Sequence, residues 1–110
     1  MRLHKSEKRI FVIGRKRVYA IDFSDLLYIE RIANKSVFQL VEREVIVDLP
    51  LSKIIKYLPQ SFIRSHKSFI INKEKIVELN PFNNNTVEIL FSGGEKTALI
   101  TKDRIEKVIN

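Results

Sequence analysis

The sequence predicts a mostly-β single domain of about nine or ten short strands and two short helices. Three observations carry that expectation. Apolar residues recur in short runs, several of them alternating with polar ones. Turn-forming clusters of Gly, Asn, Asp, Ser and Pro punctuate those runs at short intervals. Helical spacing appears only twice, once in the middle of the chain and once near its end. At 110 residues the chain has the length of one domain. A chain of that size buries about 65% of its unfolded surface, enough for a core without staples. We take residues 1–110 as one domain, with a core from about 8 to 108 and a basic segment at 1–7.

The elements follow in order. Lys8 to Gly14 reads as a strand with Ile10 and Val12 on one face and Phe11 and Ile13 on the other. Gly14-Arg15-Lys16-Arg17 is a basic turn that either grips phosphate or keeps an edge soluble, and Val18 to Ile21 continues as the next strand. After the turn Asp22-Phe23-Ser24-Asp25, Leu26 to Ile32 is a strongly apolar strand. Ala33-Asn34-Lys35-Ser36 breaks the run, on its own an ordinary polar hairpin loop, and Val37 to Val41 resumes it. Glu42-Arg43-Glu44 turns the chain into Val45-Ile46-Val47. Asp48 or a neighbour then caps a short helix in which Leu51, Ile54, Ile55 and Leu58 share a face, Lys53 and Lys56 lie open, and Pro59 ends the element.

Beyond the next segment, Lys75 to Leu79 is a strand and Asn80 to Asn85 a loop. Thr86 to Phe91 alternates with Val87, Ile89 and Phe91 inward. Ser92-Gly93-Gly94-Glu95 is the strongest hairpin signal, returning as Lys96 to Ile100. Thr101 reads as an N-cap for a last helix with Ile105, Val108 and Ile109 on one face.

Composition narrows the chemistry. There is no Cys, which excludes disulfides, thiolate metal sites and a Cys nucleophile. The two His residues lie far apart with no carboxylate cluster at ligand spacing, so no metal or other cofactor is expected. No apolar run approaches the ~20 residues of a membrane helix, and Met1 to Lys5 leads into no apolar region of a signal peptide. A cytoplasmic protein without membrane insertion is the expectation. The net charge of +7 is unevenly placed: residues 1–17 hold seven cations against Glu7 alone. Residues 60–75 carry a further +3, while 18–59 and 76–100 balance to −1 and −2. Clustered cations between nearly neutral strands favour a polyanionic partner.

The stretch Phe62 to Ile76 is the most informative. Neither face of a continuous strand through it is apolar throughout, so two short arms, Phe62-Ile63 and Phe69-Ile70-Ile71, are expected to anchor a polar segment that reaches solvent. That segment offers Arg64, Ser65, His66, Lys67 and Ser68, groups suited to phosphate oxygens and base edges. His66 fits either a phosphate contact or a structural histidine, and Ser65 and Ser68 either bond phosphate or close a turn. Asn72 follows an apolar arm and reads as structural. Ser65 or Ser68 beside His66 is the nearest approach to a nucleophile pair, with no carboxylate placed to orient the imidazole. No enzyme is expected.

The order Phe62-x-Arg64-x-His66-Lys67-Ser68-Phe69-x-x-Asn72, with Ile76 four residues on, closely resembles the signature of the LytTR DNA-binding domain. The resemblance covers roughly Lys8 to Val108. It implies an elongated stack of small β-sheets that presents loops to successive major grooves of duplex DNA. It further implies a bacterial transcriptional regulator or the output domain of a response regulator in a two-component system. Carried onto this chain, the contact segments are Asn34, Lys35 and Ser36; Arg64, Ser65, His66, Lys67 and Ser68; and Lys102 and Arg104. The family tends towards Ser-Arg-Arg at the last junction where this chain has Thr101-Lys102-Asp103-Arg104, so Asp103 departs from the pattern. The partners implied are double-stranded DNA with repeated half-sites and a receiver domain or separate regulatory protein, with the free protein monomeric and paired copies on DNA. An RNA-binding basic β-domain and a protein-interaction module are the alternatives.

Overall fold

A computed structural model describes residues 1–109. Eleven strands form three antiparallel sheets. β1 (Arg2–Lys5), β2 (Arg9–Ile13) and β3 (Val18–Asp22) make the first, in that order. The central sheet takes β4 (Leu26–Ile32), β5 (Lys35–Leu40), β6 (Glu44–Val47), β7 (Phe62–His66) and β8 (Phe69–Asn72), ordered β6-β5-β4-β8-β7. The third contains β9 (Ile76–Pro81), β10 (Thr86–Phe91) and β11 (Thr97–Thr101), with β10 in the middle. Helix α1 (Leu51–Ile54), continued by a 3-10 turn at Ile55–Tyr57, carries the chain from one edge of the central sheet to the other. Helix α2 (Glu106–Ile109) closes the described chain.

The central sheet is covered on both faces. Ile10, Val12 and Ile21 of the first sheet, with Leu51, Ile54 and Leu58 of the α1 segment, meet Leu26, Ile29, Phe38, Val45, Val47, Phe62 and Ile70 in one core. Val87, Ile89, Phe91, Ala98 and Ile100 of the third sheet meet Leu27, Tyr28, Phe69 and Ile71 in a second. Strict alternation would put Leu26 and Tyr28 on one face. A bulge between Leu26 and Tyr28 breaks the parity, so Leu26 and Ile29 enter the first core while Leu27 and Tyr28 enter the second. The three stacked layers give an elongated envelope of 43 × 26 × 23 Å.

The strand expectations hold for β2 to β6 and for β10, and the differences have identifiable causes. β1 falls in the segment read only as basic: Leu3 is its one apolar residue, so no alternation signals it, and pairing with β2 defines it. Only Ala33 and Asn34 form the β4–β5 turn; Lys35 and Ser36 already belong to β5. Asp48 does not cap α1. The N-cap position falls on Pro50, while the Asp48 carboxylate pairs with Lys35 at 3.3 Å. Thr101 occupies an N-cap position without a side-chain cap bond, and it leads into a 3-10 turn at Lys102–Arg104 before α2. Asn80 and Pro81 extend β9 rather than opening the loop, which Pro tolerates because β9 is an edge strand. At the β10–β11 hairpin, Gly93 takes φ +78°, and a Cβ on Gly94 would lie 2.8 Å from Leu27 Cδ1. The positive φ favours glycine at 93, and a side chain at 94 would force the Leu27 methyl to shift.

Asn72 ties the layers together. Its buried Nδ2 donates to the carbonyl oxygens of Phe23 (3.3 Å) and Leu26 (2.9 Å), and its Oδ1 accepts from the Glu74 N–H at 3.1 Å. Removing it leaves the Leu26 carbonyl without this partner. Asn72→Ala is expected to lower unfolding free energy in urea by about 1–3 kcal/mol, against no more than about 0.5 kcal/mol for the exposed Asn84→Ala. Equal effects from the two would show that the Asn72 bonds contribute nothing to stability.

Candidate nucleic-acid interface

Three turns lie at one end of the stack. The β4–β5 turn at Ala33-Asn34 and the β7–β8 turn at Lys67-Ser68 are neighbours, because the Arg31 N–H donates to the Ser68 carbonyl at 2.8 Å. The turn at Lys102–Arg104 joins them through Arg104, whose Nη1 reaches the Arg64 carbonyl at 3.5 Å. At the opposite end, the β5–β6 turn meets the β10–β11 hairpin, with Lys96 on Glu44 at 3.1 Å and Glu42, Glu44 and Glu95 lining the cleft between them. The cations of the three contact segments thus lie at the end away from this cleft.

The stretch from Phe62 to Asn72 is a hairpin, so its polar segment is shorter than expected. Only Lys67 and Ser68 form the turn. The register shifts between Arg64 and His66, making Ser65 the extra residue of a bulge. The bulge points Ser65 inward: it is fully buried, and its hydroxyl donates to the Leu99 carbonyl at 2.8 Å, linking the central and third sheets. Ser36 is also fully buried, donating to the Leu49 carbonyl at 2.5 Å and accepting from Arg31 Nη1 at 3.0 Å. The side chains of Ser36 and Ser65 therefore frame the turns from within instead of facing solvent, which corrects the expectation of direct contact. Ser65 is engaged with Leu99, and His66 Nδ1 accepts the Ser68 N–H at 3.0 Å.

The other candidates do face outward. Asn34, Lys67 and Lys102 are exposed, and Lys35, Arg64, His66, Ser68 and Arg104 are half-buried. Arg64 is more constrained than a free bidentate donor. Its Nε donates to the His66 carbonyl (3.0 Å) and its Nη2 to the Lys67 carbonyl (2.6 Å), so it staples the turn that presents Lys67. Arg31 does comparable work beneath the neighbouring turn, donating also to the Leu49 carbonyl at 3.0 Å. The sequence reading missed Arg31, because a lone Arg inside an apolar strand carries no local signal of its partners. Ala33 adopts φ +53°, a left-handed conformation unusual for a residue with a Cβ, at the tip beside Asn34.

Electrostatics at this end are unbalanced. Burial, then Lys67, Arg104 and Arg64, hold the His66 imidazole below its ordinary value. Burial, then Arg104, push the Arg64 guanidinium downward too. No carboxylate is among the groups acting on either residue. Asp103 remains exposed on its turn. Such crowding disfavours added positive charge and is relieved by an anion.

The family model described as the LytTr DNA-binding domain matches residues 16–109. Among curated proteins, the chain is similar to the sensory transduction protein LytT of Enterococcus faecalis, 33% identical over 94 residues, covering 84% of this chain and 38% of that protein. It is also similar to the transcriptional regulatory protein NatR of Bacillus subtilis, 28% identical over 99 residues, covering 89% of this chain and 42% of that protein. The chain spans about two fifths of the length of these relatives. Among solved structures, the LytTr DNA-binding domain of a putative methyl-accepting/DNA response regulator from Bacillus cereus superposes with a TM-score of 0.79. It is 21% identical and covers 96% of this chain and 99% of that one, a likeness of fold.

The His66 environment has a measurable consequence. With its folded pKa below the unfolded value near 6.5, the unfolded chain binds the extra proton first. Stability is therefore full above about pH 6.5 and falls as pH drops through the window between the unfolded and folded values. An NMR titration of the free domain is expected to place His66 below 6.5, and His66→Gln to flatten that part of the stability profile. A titration midpoint above 6.5 would show that the surrounding cations do not act on the ring.

Proposed function

The chain belongs to the LytTr DNA-binding domain family, and from that premise we propose that it binds duplex DNA sequence-specifically, laying its three-turn basic end against successive major grooves. In this reading it acts as a bacterial transcriptional regulator or as the output domain of a response regulator. The observation that carries it is the crowding of Arg64, Lys67 and Arg104 around His66 at the junction of three turns, with no carboxylate acting on the ring. Phosphate oxygens supply the missing counter-charge, and fixed side chains on hydrogen-bonded turns supply directed contacts. Lys67 leads the base-reading candidates, because the Arg64 staple fixes the backbone that presents it. Asn34, Lys35 and Lys102 present further donors from the neighbouring turns.

Duplex DNA is favoured over single-stranded RNA, which is read by exposed rings stacking on bases. Here Tyr28, Phe38, Phe62, Phe69 and Phe91 are buried in the cores, and Phe82 alone among the Phe and Tyr residues is exposed. The names of the relatives, a transcriptional regulatory protein and a sensory transduction protein, support a signalling role. Control would then come from a receiver domain or a separate regulatory protein.

The deciding experiment selects bound sequences from a random duplex pool, then compares Lys67→Ala with Arg15→Ala on the selected site. Loss of Lys67 is expected to cost roughly 1–3 kcal/mol and flatten preference at one position. Arg15, exposed on the β2–β3 turn, is expected to weaken all sequences about equally and to lower the salt slope by about one unit or less. Equal or tighter binding of matched single-stranded RNA, or unchanged relative affinities for Lys67→Ala, would overturn the reading.

The 43 Å length spans at most about 13 base pairs at ~3.4 Å each, so one copy reads no more than about one helical turn. Two repeated half-sites should therefore bind two copies far more tightly than one half-site binds one. Sedimentation of the DNA-free protein is expected to show a monomer. A stable dimer at micromolar concentration would contradict this.

A further inference from the structure

Beyond the three turns, a second basic surface opens beside them. A groove of about 350 Å³ runs between β1 and the α1 segment. Leu3, Leu49 and Tyr57 contribute to its lining with Arg2, Lys53 and Lys56, and no carboxylate lines it. Those three cations are exposed and take part in no ion pair among the described residues. They come from separate parts of the sequence, Arg2 from the first strand and Lys53 and Lys56 from the α1 segment. Three like charges converging on one groove without counter-ions mark an anion-binding surface more strongly than the same charges spread over a solvated face.

The groove is physically continuous with the candidate interface. Leu49, part of its lining, is the residue whose carbonyl accepts from Arg31 and Ser36 beneath the β4–β5 turn. The Asp48 N–H donates to Met1 Sδ at 3.1 Å, and the Asp48 carboxylate pairs with Lys35 at the start of β5. Lys35 is compensated by Asp48, so the unpaired charge of this surface is that of Arg2, Lys53 and Lys56.

We infer that Arg2, Lys53 and Lys56 form a phosphate-gripping flank, which holds the duplex backbone outside the segment read by the three turns. The inference rests on the proposed DNA reading and extends it. The flexible lysines and a strand-borne Arg2, with no buried polar group fixing their heads, suit sequence-independent contact with phosphate. The site acts on affinity and salt dependence, while the turns decide sequence.

The test uses the 110-residue chain and a triple variant, Arg2→Gln, Lys53→Gln and Lys56→Gln. Each is measured on a minimal selected duplex and on the same duplex extended by one helical turn on either side. Wild-type protein is expected to bind the extended duplex more tightly than the minimal one. The triple variant should lose about tenfold or more on the extended duplex, with a salt slope lower by about two to three units, and nearly nothing on the minimal one. Its preference among sequences should be unchanged, and its unfolding midpoint should match the wild type because the three positions are exposed. Equal loss on both lengths, or loss on neither, overturns the flank while leaving specific binding intact. Absence of any sequence preference in the wild type overturns the DNA reading itself. Wild-type binding to phosphatidylserine vesicles that competes with the extended duplex, and disappears in the triple variant, assigns the groove to a membrane surface and also overturns the flank.

Discussion

Burial of the β4–β8 pair on both faces is the constraint on which the rest of the structure depends. Ile29 and Ile70 are fully buried towards the first sheet, while Leu27 and Ile71 are buried towards the third. Two strands with apolar residues on both sides cannot form an ordinary two-layer sheet with one wet face. They require a cover on each side, so the chain supplies a three-stranded sheet before β4 and another after β8. The bulge in β4 makes this compatible with consecutive apolar residues, because it sends Leu27 and Tyr28 to the same core. The adjacent Leu27 then meets the β10–β11 hairpin so closely that a Cβ on Gly94 would displace its Cδ1 methyl.

The stack also sets the position of the basic end. Since β4 and β8 are antiparallel neighbours, their turns fall side by side, and the Arg31–Ser68 bond fixes that adjacency. The Ser65 bulge binds the hairpin to Leu99, which brings β11 and the following Lys102–Arg104 turn to the same place. Buried hydroxyls thus position exposed cations. Burial first and mutual repulsion second hold His66 and Arg64 below their ordinary values, and the repulsive part is the cost of bringing those cations together without an anion. A partner that supplies phosphate removes that cost, so packing in the cores and affinity at the surface are linked through the same hairpin.

Much of this was legible in the sequence for a specific reason. Alternation and turn residues report local geometry directly, so β10 with Val87, Ile89 and Phe91 inward was readable, as was the Gly93-Gly94 hairpin. The ordered signature from Phe62 to Asn72 also carries the likeness to the family. By contrast, β1 has too few apolar residues to announce a strand, and Asp48 looks like a helix cap until Lys35 arrives from thirteen residues away.

By itself, the sequence determined a β-rich fold, a clustered positive charge and the segments that carry it, because composition and short-range periodicity are properties of the chain. Only the tertiary structure decided which polar side chains point outward. Ser36 and Ser65 look equivalent to Lys35 and Lys67 in a list of polar residues, yet a bulge and the Leu49 and Leu99 carbonyls draw both serines inside. Only the fold, likewise, placed Arg2 beside Lys53 and Lys56. Such choices depend on which sheet covers which face and where a register shifts, and long-range contacts fix both.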